Sequence, residues 1–371
     1  MKEERTFEIS EHTTSYLLDI PLLSPREMLG RIQKSGYVGQ EKSQKAVALM
    51  AYRHVNRLKK IYLEKIPSHL LPKKDNYLLI GPTGCGKTYL VELLFQHILK
   101  LPTVIIDITS YSETGYVGQD AVSMLTRLVY AAQRDTEIAA MGIVCIDEFD
   151  KLSSGKNNAV FSGAGTTKDV GGMGVQQELL KMLEGATIDV PIHLSHSSYS
   201  ERLPLSTHNI AFLACGAFSG FKRLVQASQN PIGFGGNSHS TEVAVSYTRE
   251  DVDKVSYFES YGLMPELVGR FSRIVPFEAL SAPQLRKILT QFTLKRYQKE
   301  LALESVELKV SGTVLDHIVD EALKRETGAR ALPYALTEHL EDALFELYSR
   351  KKKPQTIKLG MKKGEIVWEL K

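Results

Sequence analysis

Between Gln40 and Tyr62 the apolar residues Val47, Met50, Val55, Leu58 and Ile61 recur at three- to five-residue steps. That spacing puts them on one face of a helix. The basic residues of the same stretch, Lys45, Arg53, Arg57, Lys59 and Lys60, read as its solvated face. Pro67, Pro72 and Lys73-Lys74-Asp75 then break the pattern. Beyond them, short apolar runs at Tyr77–Ile80, Thr103–Ile106, Ile143–Ile146 and Ile210–Ala214 alternate with helix-like spacing at Thr88–Leu99 and Ala121–Ala132. Apolar strands alternating with helices predict an α/β fold, a parallel sheet covered by helices on both faces.

Two stretches interrupt the alternation. Ser153–Gly174 has six glycines among Ser, Thr and Asn, and Ala227–Ala244 is similarly rich in Gly, Ser and Asn. Neither carries enough apolar area to hold a fixed shape, which predicts mobile loops. Residues 1–20 are polar and without periodicity, the pattern of a flexible N-terminal tail. After Leu280 the character changes. Pro283–Lys299 and Thr313–Arg325 have helical spacing, Leu336, Leu340, Leu344 and Leu347 form a helical stripe, and Ile357–Leu359 and Glu365–Leu370 read as a terminal hairpin. The expected division is therefore a tail (1–20), a large α/β domain (21–278) and a small, mostly helical α+β domain (279–371).

Composition narrows the class. At roughly 150 residues per domain, 371 residues allow more than one domain. Lys and Arg total 46 against 43 Asp and Glu, a net charge of +3 that gives no drive toward nucleic acid or an anionic membrane. The longest apolar runs, Ile138–Ile146 and Ile210–Phe218, are nine residues each, far short of the roughly 18 of a membrane span. Met1-Lys2-Glu3-Glu4-Arg5 is not followed by a signal-peptide pattern. Cys85, Cys145 and Cys215 are spaced as neither a disulfide framework nor a zinc site, and a reducing cytoplasm fits them best. His193 and His196 lack completing ligands and read as loop histidines.

The chemistry starts at Gly81-Pro82-Thr83-Gly84-Cys85-Gly86-Lys87-Thr88, a full G-x-x-x-x-G-K-[ST] phosphate loop between a predicted strand and a predicted helix. Its glycines let backbone N–H groups wrap phosphates, the helix N-terminus adds partial positive charge, and Lys87 adds a full one. The nucleotide site is thus taken to include Pro82, Thr83, Gly84, Cys85, Gly86, Lys87, Thr88 and Tyr89, with ATP as ligand. Further on, the strand Ile143–Ile146 ends in Asp147-Glu148. Thr88 and Asp147 are expected to hold Mg²⁺, and Glu148 to polarise the attacking water as general base.

Several co-linear motifs resemble the ClpX family of AAA+ protein unfoldases. They are Tyr37-Val38-Gly39-Gln40, Gly115-Tyr116-Val117-Gly118, the Asp147-Glu148 strand, Gly174-Val175-Gln176-Gln177-Glu178 through Glu184-Gly185, Cys215-Gly216-Ala217-Phe218, Ile232-Gly233-Phe234-Gly235, Gly262–Arg270 and Thr327-Gly328-Ala329-Arg330. The resemblance runs from about Ser24 to the terminal hairpin and implies an AAA+ P-loop domain followed by a small domain. It implies that Tyr37 and Val38 flank the adenine, that Arg270 is the arginine finger serving a neighbour's nucleotide, and that Arg330 is the sensor arginine. It implies that Tyr116 and Val117 form the pore loop gripping substrate polypeptide, with 153–174 as a second pore loop. It also implies that Ile232, Gly233 and Phe234 dock onto a ClpP-type peptidase.

The departures matter as well. No Cys precedes Cys85, so the family's N-terminal zinc-binding domain has no counterpart here, and Pro191–Pro204 lacks the basic Arg-Lys-His loop of the pore entrance. Lys168 stands where the family has an arginine before Asp169. The related HslU unfoldases insert a domain between the two nucleotide motifs, for which the interval from Lys87 to Asp147 leaves no room. The leading expectation is an ATP-driven unfoldase in a homo-oligomeric ring, hexameric in the family's manner, that threads protein substrates to a ClpP-type peptidase. The alternative is a stand-alone remodelling chaperone. A nucleic-acid motor fits poorly with the charge balance, and intact Lys87, Asp147, Glu148 and Arg270 argue against an inactive scaffold.

Overall fold

The computed structural model describes residues 9–111, 120–153, 171–191, 202–219, 255–350 and 355–371. Seven strands belong to the first part of the chain among these residues: β1 (Tyr77–Ile80), β2 (Thr103–Asp107), β3 (Ile143–Asp147), β4 (Thr187–Pro191), β5 (Arg202–Ser206), β6 (Ala211–Gly216) and β7 (Arg273–Pro276). Five of them form one parallel sheet in the order β2-β3-β6-β1-β7, and β4 and β5 pair as an antiparallel hairpin. Side chains on successive strand residues point to opposite faces, and both faces are buried. Leu78, Ile80, Val144, Ile146, Phe212 and Ala214 belong to one hydrophobic core. Tyr77, Leu79, Ile143, Cys145, Leu213 and Cys215 belong to a second core on the other face. This double burial is why these strands read as unbroken apolar runs rather than as alternating ones.

The four strands expected from apolar runs match β1, β2, β3 and β6 to within two residues at either end. β7 was not legible because Arg273-Ile274-Val275-Pro276 is a short edge strand of mixed exposure that pairs only with β1. The helix following the phosphate loop runs Lys87–Val91 and then widens to π geometry over Glu92–Ile98.

The expectation of a flexible tail over residues 1–20 needs correcting from residue 9 onward, residues 1–8 lying outside the described residues. A helix covers Glu11–Asp19, capped by Ser10, with Leu17 fully buried. Glu137 accepts hydrogen bonds from the Ser10 backbone (2.9 Å), the Ser10 hydroxyl (2.8 Å) and the Thr13 hydroxyl (2.6 Å), tying this helix to the Thr136–Ala139 turn. A second helix, Pro25–Lys34, is launched by a reciprocal capping box between Ser24 and Glu27 with Pro at its first turn. Both lie against the core that holds the long helix Glu41–Tyr62.

From Leu280 onward a third, separate core is built by the helices Ala282–Ile288, Leu294–Leu303, Gly312–Lys324 and Ala331–Ser349. They pack with a three-stranded sheet, β8 (Glu307–Val310), β9 (Thr356–Lys362) and β10 (Glu365–Leu370), in the order β10-β9-β8. The expected terminal hairpin is β9–β10, and β9 pairs parallel with β8, whose alternating Glu-Leu-Lys-Val pattern was too short to be read. The fold is α/β with a parallel sheet between helices, followed by a smaller helical domain. No helix among the described residues is long and apolar enough to cross a membrane.

Candidate functional site

The phosphate loop leaves the carboxyl end of β1. Gly84 (φ 70°) and Gly86 (φ 98°) hold left-handed backbone conformations that L side chains rarely adopt. Lys87 is buried, and its ammonium donates to the carbonyls of Gly81 (2.6 Å) and Pro82 (2.9 Å). No carboxylate pairs with it among the described residues, so its charge lies within the loop, available to phosphate oxygens.

Strand β3 ends beside this loop. β6 lies between β1 and β3, and the Gly81 N–H donates to the Gly216 carbonyl (3.2 Å), fixing the loop's start against that strand's end. Across it, the Thr88 hydroxyl donates to Asp147 Oδ2 at 2.8 Å. A hydroxyl and a carboxylate in contact form an all-oxygen donor pair, the set a hard cation such as Mg²⁺ takes, with waters and phosphate completing the shell. Next to it Glu148 is exposed at a left-handed φ of 55°, and its own N–H donates to Asp147 Oδ1 (2.9 Å). A non-glycine residue held there is strained. The structure therefore brings Lys87, Thr88, Asp147 and Glu148 together.

Tyr37 closes the loop from the other side. Its hydroxyl donates to the Gly86 carbonyl (3.0 Å), and its ring stacks on Tyr89 with centroids 5.9 Å apart and planes 15° from parallel. Burial raises the Tyr37 phenol far above its ordinary range, so it remains a neutral donor. A Cβ at Gly86 would come within 2.8 Å of that hydroxyl, so this position has no space for a side chain. Val38 is half-buried beside it. The Cys85 thiol is buried and its pKa is raised, chiefly by that burial and against the pull of the Lys87 ammonium 3.8 Å away, which disfavours the reactive thiolate. Gln40 went unread as a site residue. Its side chain donates to the carbonyls of Cys85 (3.4 Å) and Glu278 (2.6 Å) and accepts from the Glu278 N–H (3.0 Å). One amide thus links the phosphate loop to the end of the large domain.

The small domain reaches the loop directly. The Ala329 N–H donates to the Gly84 carbonyl (3.1 Å), and a Cβ on Gly84 would lie 2.1 Å from the Thr327 carbonyl oxygen. Arg330 is the exposed last residue of that Gly328–Arg330 turn.

Arg270 lies elsewhere. It precedes β7, its carbonyl accepts from the Asn76 amide (3.3 Å), and its guanidinium pairs with Glu184. Asn76 precedes β1, whereas the phosphate loop follows it, so Arg270 sits at the opposite end of the sheet. Gln176, quoted above as part of a motif, is 2% exposed and clamps structure: its amide donates to the Gly262 carbonyl (3.3 Å) and its oxygen accepts from the Met264 N–H (2.7 Å). Tyr116, Val117, Ile232, Gly233 and Phe234 lie outside the described residues.

A phosphate loop, a carboxylate-tipped strand one removed from it in the sheet, and an appended small domain meet at one place. The family description "AAA domain (Cdc48 subfamily)" matches residues 72–274, more than half of the chain. The chain belongs to the AAA+ family. A second description, the C-terminal, D2-small domain of ClpB protein, matches residues 280–359. The two together mark a Clp/Hsp100-type AAA+ protein. AAA+ domains bind ATP, typically with Mg²⁺, and carry ATPase activity in general. The residues of this AAA+ site fit both: an uncompensated lysine inside a glycine-shaped loop for the phosphates, and an oxygen pair for the metal.

Proposed function

We propose that this AAA+ protein is a ClpX-type unfoldase, a homo-hexameric ring that uses ATP hydrolysis to pull protein substrates through its pore and hand them to a ClpP-type peptidase. Clp/Hsp100-type AAA+ proteins typically form hexameric rings. The observation that carries the ring reading is the position of Arg270. Four residues of β1 separate its Asn76 anchor from the phosphate loop, which at 3.3 Å per residue is about 13 Å. Arg270 is therefore on the wrong end of its own sheet to serve its own nucleotide. A head-to-tail neighbour, closing into a ring, is what would bring it to one.

In this reading Lys87 and the loop N–H groups bind and orient the phosphates, and Thr88 and Asp147 would hold Mg²⁺. The metal's contribution is to neutralise charge on the phosphate oxygens. Glu148 takes the proton of the attacking water, and the neighbour's Arg270 stabilises the charge that develops. Tyr37 and Val38 bound the base, and Arg330, on the turn that touches Gly84, reports the nucleotide to the small domain. Tyr116 and Val117 grip the substrate, and Ile232, Gly233 and Phe234 dock the peptidase. These last roles rest on the motif resemblance. The departure noted at Pro191–Pro204 favours a second reading, remodelling without a peptidase.

The test uses a folded, tagged fluorescent reporter, its unfolding followed beside ATP turnover, with and without ClpP. Tyr116→Ala should keep hydrolysis and lose unfolding. Glu148→Gln should bind ATP and lose both activities, because an amide keeps the shape but is no base. Unfolding at the unmutated rate in Tyr116→Ala would remove that residue from the grip. Failure of the unmutated ring to bind or activate ClpP would leave the stand-alone remodeller.

A further inference from the structure

Away from the nucleotide crevice, three donors converge on the small domain. His317 and Glu321 are four residues apart on the Gly312–Lys324 helix, hence on one face of it. His339 projects from the adjoining Ala331–Ser349 helix. His317 Nε2 is 3.4 Å from Glu321 Oε1, His339 Nε2 is 2.9 Å from Glu321 Oε2, and the three donor atoms all lie within 4.8 Å of one another. Arg325, four residues beyond Glu321 in the chain, is already committed. It pairs with Glu338 at 2.9 Å and lies over the Tyr334 ring, 4.1 Å from its centroid. Among the described residues no Lys or Arg pairs with Glu321, so its carboxylate faces two imidazoles.

We propose that His317, Glu321 and His339 form a binding site for a divalent d-block ion, zinc by preference, that staples the two long helices of the small domain. Two imidazole nitrogens and one carboxylate suit Zn²⁺ and are a poor set for Mg²⁺ or Ca²⁺, which prefer oxygen throughout. Metal–ligand bonds of about 2.0–2.2 Å in a tetrahedron place neighbouring donors roughly 3.4 Å apart. The two His–Glu separations, 3.4 and 2.9 Å, are near that but end on different carboxylate oxygens, so binding requires a small turn of the Glu321 carboxylate as well as the two histidines drawing together. All three side chains are part-exposed, so an ion reaches them from solvent and a water completes the shell. The stapled helices flank the Thr327–Arg330 turn that touches Gly84, so occupancy would stiffen the frame of that turn. The metal site itself is independent of the unfoldase reading.

The experiment titrates the full-length, nucleotide-free protein with Co²⁺, then Zn²⁺, following visible absorption and thermal unfolding. One Co²⁺ per chain should bind with the intense bands of a four-coordinate ion, and Zn²⁺ should bleach them. His317→Ala, His339→Ala and Glu321→Gln should each weaken binding by more than about tenfold, and Zn²⁺ should no longer raise the unfolding temperature of these variants. Glu321→Gln retains the side chain's shape, which guards against misfolding as the cause. Asp147→Asn, altering the all-oxygen site, should leave the bands unchanged. Absence of four-coordinate bands, or their persistence in the His317→Ala/His339→Ala double variant, would overturn the proposal.

Discussion

His54 shows how one buried side chain sets a pH limit on the fold. It lies in the Glu41–Tyr62 helix, 6% exposed, and its Nε2–H donates to the Met141 carbonyl at 2.9 Å. Desolvation lowers its pKa from 6.5 to about 4, opposed in part by that hydrogen bond. The unfolded chain therefore takes up a proton at a higher pH than the folded one. The neutral ring's contribution is complete above about pH 6.5 and is lost as pH falls toward 4, a difference of about 3 kcal/mol. His54→Gln can still donate to Met141 but does not titrate. Its unfolding free energy should fall less than that of the unmutated protein between pH 7 and pH 4, as read by urea denaturation at a series of pH values. Parallel profiles would show that His54 is not the group responsible.

At the scale of elements, the phosphate loop and the Gly328–Arg330 turn are in direct contact, the geometry through which the small domain would respond to nucleotide. The contact is built from backbone on both sides, which is why glycine is required. Gly328 has φ 57°, and a Cβ there would lie 2.8 Å from the carbonyl oxygens of both Gly84 and Thr83. Gly328→Ala combines that clash with a left-handed penalty of about 1–2 kcal/mol, enough to shift the population of the docked arrangement by about 5- to 30-fold. Gly328 lies in the turn between the Gly312–Lys324 and Ala331–Ser349 helices and contributes no side chain to their packing, so the helices should remain folded. The expected result is unchanged circular dichroism with weaker nucleotide binding and a lower ATPase rate. Equal nucleotide affinity and turnover would mean the contact does not couple the two domains.

For the whole molecule, the question is whether Arg270 leaves Glu184. The side chains are 47% and 42% exposed, and a pair so open to solvent contributes about 0–1 kcal/mol. Releasing the guanidinium to a neighbour's phosphates therefore costs little. Arg270→Ala should keep nucleotide binding and lower hydrolysis on the order of 10³-fold. Mixed with Glu148→Gln subunits, it should recover activity at interfaces that pair an intact Glu148 with an intact neighbouring Arg270. Mixed rings no more active than either variant alone would count against an inter-subunit role.

Much of this was legible along the chain because it is local or repetitive. The runs that became β1, β2, β3 and β6 are apolar throughout since both sheet faces are covered, and the phosphate loop is contiguous, so its strand–loop–helix setting could be read directly. Some local signals passed unread, among them the Ser10 cap that turns part of the expected tail into ordered helix and the Ser24–Glu27 capping box that launches the next helix. What tertiary structure decided is what depends on partners distant in sequence. Whether Gln40 bridges Cys85 to Glu278 depends on how the large domain's end returns to the loop, and β7 is a strand only because β1 offers it an edge. The docking of Thr327 onto Gly84, the placement of Arg270 at the far end of its sheet and the meeting of His339 with His317 and Glu321 are likewise products of packing. Spacing along a chain encodes which residues share one helix face or one strand, whereas contacts between elements are set by how their buried faces fit together.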